Sequence, residues 1–176
     1  ASSGGESRIL RAGYGPDAMY TRWAMRSLGM WKEFFARTGT ELFCNCGMLW
    51  LARERDNYEK QAAETLARLG VPCERLVRGE LRRRFPQFNF AGVDWGLFEP
   101  ASGALLARRA VAAVVEDAVR SGAEYLQVEV KMPKAKGKLR AIETPSGQRI
   151  LADAFVFACG PWLGKVFPSV LRRRIL

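Results

Sequence analysis

The apolar positions of this chain change period several times, and each change marks an element. Asp17 is expected to cap a helix, and Ala24, Leu28, Trp31 and Phe35 then follow at steps of four, three and four. That spacing draws one stripe along a helix running to about Arg37, with its aromatics in the core. Thr38-Gly39-Thr40 ends it. Residues 41–46 and 48–52 are strand-like runs split by Gly47, which predicts a hairpin. Helical period returns over 57–69 and stops at Gly70. A short strand is predicted at 74–77, and a short basic helix at 78–84, stopping before Pro86. Residues 92–100 alternate through Val93, Trp95 and Leu97 as a strand does, and run into the turn-rich Glu99-Pro100-Ala101-Ser102-Gly103.

Residues 105–121 read as a third long helix, with Ala110, Val111, Val114, Val115 and Val119 on one face and Gly122 at its end. A strand is predicted at 124–132, a basic turn at 134–138, and a hairpin from 139–143 and 149–151 around Pro145-Ser146-Gly147. Residues 152–159 are then apolar apart from Asp153, and Gly160-Pro161 closes the run. This pattern predicts a strand buried on both faces. In open α/β sheets ligands sit beyond the carboxyl ends of such strands, which places a nucleotide beside Cys159, Gly160 and Pro161. On the local residues alone, an ordinary core strand with a tight exit is the simpler reading.

Composition narrows the chemistry. The 176 residues are 48% hydrophobic, enough for a normal core in one domain or two small lobes. The formal charge is +10, but the 28 Lys and Arg are scattered, with only Arg82-Arg83-Arg84 and Arg172-Arg173-Arg174 as runs. Scattered charge suits an acidic small molecule better than nucleic acid, which is not expected as a partner. The chain has no His, which removes His-based acid–base catalysis and most metal sites. Four Cys read as reduced thiols, and Cys44-Asn45-Cys46 is too closely spaced for a zinc knuckle. No signal peptide or transmembrane run is found, so a cytoplasmic location is expected. The chain begins at Ala in mid-pattern and is expected to be a fragment.

Residues 1–15 are rich in Gly and Ser and carry Arg8 and Arg11 three apart. In a helical turn the two guanidiniums would share a face and grip one anion from two sides. By spacing alone, two solvated arginines are the simpler reading. Gly13-Tyr14-Gly15 lacks the third Gly of a dinucleotide fingerprint, and no strand is expected before it.

In order and spacing, three stretches together resemble the FAD-dependent amino-acid oxidoreductases of the D-amino-acid oxidase superfamily, nearest the sarcosine oxidase branch. Ser7-Arg8-Ile9-Leu10-Arg11-Ala12-Gly13-Tyr14-Gly15 is similar to the flavin-facing segment. Phe98-Glu99-Pro100-Ala101-Ser102-Gly103-Ala104-Leu105 resembles the Glu-Pro-x-x-Gly return from the substrate lobe. The run from Ala152 to Trp162 resembles the strand, Gly and Trp beside the cofactor. The resemblance implies an α/β fold: a partial FAD-binding Rossmann-like lobe from 1–40 and 101–167, part of an α+β substrate lobe from 41–100, and the start of a further segment at 168–176. It implies FAD held by Ser2, Ser3, Gly4, Ser7, Arg8, Val130, Gly160, Pro161 and Trp162. Arg8 would lie near the flavin ring and Arg11 would hold the carboxylate of a small amine substrate. The implied reaction is hydride transfer to flavin, with oxygen or a quinone as the final acceptor. A different class, a non-catalytic basic α/β fragment that binds anions or a protein, stays open at this point.

The chain also departs from the family pattern. Ser3 and Gly4 stand where aromatic or His-like residues often follow the Ser, and Ala107 replaces a common Pro. None of Cys44, Cys46, Cys73 or Cys159 matches the flavin-linking Cys of sarcosine oxidases, so covalent flavin is not expected.

Overall fold

A computed structural model describes residues 5–133 and 137–171. The chain divides into two units, one of Gly5–Arg120 and one that begins at Ser121.

The first unit holds β1 (Arg8–Leu10), α1 (Ala18–Thr38), β2 (Phe43–Cys44), β3 (Met48–Ala52), α2 (Asn57–Arg68), β4 (Glu74–Val77), α3 (Arg78–Arg84), β5 (Trp95–Glu99), β6 (Gly103–Leu105) and α4 (Ala107–Arg120). Its strands form two antiparallel sheets, ordered β1-β6-β2 and β3-β5-β4. The central strand β5 is buried on both faces because both faces are covered. Trp95 and Leu97 point to one side, into a core with Ala12, Ala52, Ala62 and Leu66. Phe98 packs on the other side, against the cluster of Leu76, Leu81 and Phe90 that β4, α3 and the following loop supply. A third core joins α1 to the small sheet and α4 through Phe35, Leu42, Leu105 and Ala110.

Helix α1 follows the apolar period closely. Leu28 and Phe35 are buried on α1 as the stripe predicts, Trp31 stacks on Phe35 at 5.5 Å, and α1 ends where Gly39 turns left-handed and donates its N–H to the Phe35 carbonyl. Asp17 occupies the cap position, but its side chain makes no capping bond. The helix predicted from 105 begins at Ala107, because Gly103–Leu105 is taken by the strand β6. Only Ala110 of its expected apolar face is buried, while Val111, Val114 and Val119 are exposed.

The hairpin predicted over 41–52 does not form. Phe43 and Cys44 pair with Leu105 and Ala104, whereas Met48–Ala52 pairs along the whole of β5. Gly47 still turns, at φ +78°, but its N–H donates to the Ser102 carbonyl and sends the two runs to different sheets. The deciding force is burial: β3 gains a central, doubly covered neighbour in β5, which a two-stranded hairpin does not offer.

The second unit contains the predicted hairpin, β7 (Ala141–Glu143) with β8 (Arg149–Leu151), followed by a single 3-10 turn over Gly160–Trp162 and the short helices α5 (Leu163–Val166) and α6 (Pro168–Leu171). Two strand expectations fail here. Residues 124–132 form no regular strand and touch the hairpin through one bond, Lys131 N–H to the Glu143 carbonyl at 2.7 Å. Residues 152–159 form no regular strand, with Phe155, Phe157 and Cys159 half-buried and the positions between them exposed, Val156 at 94%. The period of two is that of a strand, but no described strand lends this run an edge, so its backbone groups have no ladder to join.

Candidate functional site

The site begins with a charged residue where the strand pattern calls for an apolar one. Trp95, Leu97 and Glu99 share one face of β5, at period two, and all three are buried. A buried carboxylate is costly unless donors satisfy its oxygens. Glu99 has four. Oε2 accepts from the Ala12 N–H at 2.7 Å and from the Ser102 hydroxyl at 2.7 Å. Oε1 accepts from the Gly13 N–H at 3.1 Å and from the Trp50 indole N–H at 2.7 Å. One side chain thereby ties the segment after β1 to β3, β5 and the turn beyond β5. Residue 13 is glycine for this reason: a Cβ there would stand 2.7 Å from Glu99 Oε1.

Arg11 precedes the two amides that Glu99 holds. Its guanidinium lies over the Trp50 ring at 4.5 Å and the Tyr14 ring at 5.2 Å. Among the described residues no carboxylate forms an ion pair with it. A half-buried cation held by ring faces keeps its in-plane N–H donors for another acceptor. Arg11, Tyr14 and Glu99 all line a cavity of about 300 Å³, whose wall continues through Tyr20, Trp23 and Ser102. Tyr14, Tyr20 and Trp23 form a chain of ring contacts at 5.8 Å each. The volume lies at the small end for ligand sites, which run from about 300 to 1,000 Å³. Near Glu99, burial pushes the Cys73 thiol above its ordinary range, and the carboxylate's charge adds to the shift.

The pairing of Arg8 with Arg11 on one helical face is corrected. Arg8 lies in β1, antiparallel to β6, and so a strand does precede Gly13-Tyr14-Gly15. In extended chain, positions three apart fall on opposite faces. Arg8 is exposed, donates from Nη1 to the Ser7 carbonyl at 2.9 Å, and takes no part in the cavity wall. Ser7 is exposed as well. Ser2, Ser3 and Gly4 lie outside the described residues. In the second unit, Val130 is exposed outside any regular element, Gly160 turns at φ +53°, and Pro161 and Trp162 follow it, the Trp 47% exposed.

A family model described as FAD dependent oxidoreductase, DAO, matches residues 1–176. The chain belongs to this family of FAD-dependent oxidoreductases. A DAO-family relative, the N-methyl-L-tryptophan oxidase of Yersinia pestis (strain Pestoides F), is 28% identical over 122 residues, 69% of this chain and 33% of the relative. This DAO-family chain thus spans about a third of the length of the curated relatives it matches. Its fold is similar to that of L-proline dehydrogenase from P. horikoshii, with a TM-score of 0.80 at 23% identity over 90% of this chain and 43% of the other. Glycine oxidase from Bacillus cereus ATCC 14579 superposes with a TM-score of 0.72 at 20% identity, over 92% of this chain and 46% of that one. The mixed α/β class expected from the sequence is the class of these amino-acid oxidoreductases.

The expected site included Arg11 but missed the groups that hold it. Glu99 and Tyr14 entered only as letters of longer motifs, without a role, and Trp50 and Tyr20 did not enter at all. A signal for Glu99 is present: it continues the Val93, Trp95, Leu97 alternation, so the core-facing series ends on a charge. No comparable signal marks Trp50, whose neighbour is chosen by sheet pairing. Among the described residues there is no cluster of potential metal ligands, and no helix is long and apolar enough to cross a membrane.

Proposed function

We propose that this chain is part of an enzyme that oxidises an amino acid or N-methyl amino acid, with Arg11 holding the substrate carboxylate. The observation that carries the reading is a guanidinium with no carboxylate partner among the described residues, set in an aromatic wall of a 300 Å³ cavity. A carboxylate entering there meets a fixed positive charge with paired donors, and the rings exclude water around the bond. The relative from Yersinia pestis is named for an N-methylated amino acid, and glycine oxidase for a small one, which supports a carboxylated amine as the substrate class. A small, sarcosine-like amine suits the cavity volume.

FAD supplies the hydride-accepting chemistry when bound. The ring end of the cofactor would meet exposed Arg8 and half-buried Arg11, three positions apart in one segment. One cation is then available to the flavin edge and the other to the substrate. Ser7 and Arg8, with Ser2, Ser3 and Gly4, would hold the cofactor from the first residues. Val130, Gly160, Pro161 and Trp162 are the further residues proposed for the cofactor, and Trp162 offers an exposed ring. On this reading 1–40 and 101–167 belong to the FAD lobe, and 41–100 to the substrate lobe. The electron acceptor is oxygen or a quinone.

Arg11 orients the amine by fixing its acid group, and such positioning supplies a large share of an enzyme's rate. Replacing Arg11 by Met in the full-length enzyme is expected to raise KM for carboxylated amines by about a hundredfold. KM for the matching amines without the acid group should change little. Equal losses for both substrate sets would remove Arg11 from this role.

A further inference from the structure

We propose that Glu99 is the positioning residue for Arg11 and keeps its charge available to a ligand carboxylate. The inference rests on Arg11 being the carboxylate-binding group, as proposed above. Glu99 reaches Arg11 by two routes. Through the backbone, it fixes the amides of Ala12 and Gly13, the two residues that follow Arg11. Through a side chain, it holds the indole N–H of Trp50, whose ring face lies against the Arg11 guanidinium at 4.5 Å. Both routes end on the same cation from different strands, β1's continuation and β3.

The same four donors have a second effect. Glu99 and Arg11 line one cavity, and a buried carboxylate with idle lone pairs would be drawn to the guanidinium. The Ala12 and Gly13 amides, the Trp50 indole and the Ser102 hydroxyl occupy both oxygens instead. The carboxylate is spent on the scaffold, and the guanidinium is left for the ligand. Trp50 joins the two functions, since its edge serves Glu99 while its face serves Arg11.

The variants Glu99→Gln, Trp50→Phe and Arg11→Met separate the possibilities in the full-length protein. A Gln keeps the shape of Glu99 but turns an N–H₂ toward one pair of donors, which breaks that half of the set. A Phe keeps a ring under Arg11 and removes only the bond to Glu99. Acetate affinity is measured by calorimetry, with methylamine as the probe that carries no acid, and KM and kcat are measured in parallel for N-methylglycine. Glu99→Gln is expected to weaken acetate binding about tenfold or more and raise KM with a smaller change in kcat. Trp50→Phe should weaken acetate binding by roughly two- to fivefold, and methylamine binding should stay unchanged in both. If Arg11→Met weakens acetate binding and Glu99→Gln does not, Glu99 has no positioning role. If Arg11→Met itself leaves acetate binding intact, the carboxylate assignment fails first. Should Glu99→Gln not fold, Trp50→Phe decides: unchanged acetate affinity overturns the proposal.

Discussion

Glycine 13 carries a constraint that its backbone angles do not explain, because its φ is not in the left-handed region. The constraint is the pinned carboxylate. A methyl group at residue 13 would sit 2.7 Å from Glu99 Oε1 and 3.4 Å from the Trp50 indole nitrogen. An isolated Glu would swing away at small cost, but this one is held by four donors and is 1% exposed. Gly13→Ala is therefore expected to lose about 1–3 kcal/mol, read as a shift of the urea midpoint at constant slope. Gly29→Ala is the control: it lies inside α1, and a Cβ there meets nothing within 4 Å. That change should be neutral or stabilising by up to about 1 kcal/mol. Equal destabilisation of the two variants would mean that Glu99 is not rigid. The residue scale is also where the sequence said least. Arg11 stands out as a basic residue in a Gly-rich segment, but its surroundings are set by Glu99, 88 positions later by the chain numbering, and by Trp50 from a third strand. Those partners meet only because β3 pairs with β5 in one register.

At the scale of elements, period was enough for the helices and not for the strands' partners. The stripe through Leu28 and Phe35 locates α1 because a helix satisfies its own backbone, and burial then selects a face. Residues 43–44 and 48–52 were legible as extended chain, but β2 went to β6 and β3 to β5, a choice made by the core beneath Trp95 and Leu97. The contact between α1 and α4 was likewise invisible in either helix alone. It includes a two-pronged ion pair, Arg37 Nη1 and Nη2 to the two oxygens of Asp117 at 2.7 Å each, with Arg120 at 3.5 Å. The hydrogen bond from Arg37 holds the Asp117 carboxyl below the usual carboxylate range, aided by the charges of Arg37 and Arg120, and Asp117 in turn holds the Arg37 proton more firmly. A depressed carboxylate stabilises the fold above its unfolded pKa, and that contribution fades as pH falls through the folded value. Asp117→Asn should accordingly lower the melting temperature slightly at pH 7, by an amount that shrinks as pH falls and the wild-type carboxyl takes up its proton. A difference that persists unchanged across that range would place its cause in packing rather than in the charge.

For the whole molecule, the apolar surface is distributed differently from what a run-by-run reading of the sequence expects. The run at 152–159 was expected to be a strand buried on both faces, and Val156 is instead 94% exposed. The face of α4 expected to be core presents Val111 at 63%, Val114 at 42% and Val119 at 47% exposure. Exposed apolar faces of this kind mark contact surfaces, and an apolar run outside any described ladder has open backbone groups as well. A net charge of +10 opposes association at low salt by mutual repulsion, and added salt screens it within about 10 Å at 0.1 M. The 176-residue chain, prepared by itself, is therefore expected to bind the dye ANS and to shift to larger species in gel filtration as salt rises from about 0.05 to 0.5 M. Val156→Lys with Val111→Lys should reduce both signals, because each places a charge in an apolar patch without touching Arg11, Glu99 or Trp50. A chain that stays monomeric at high salt and leaves the dye dark would show that these surfaces are covered within the chain itself in solution.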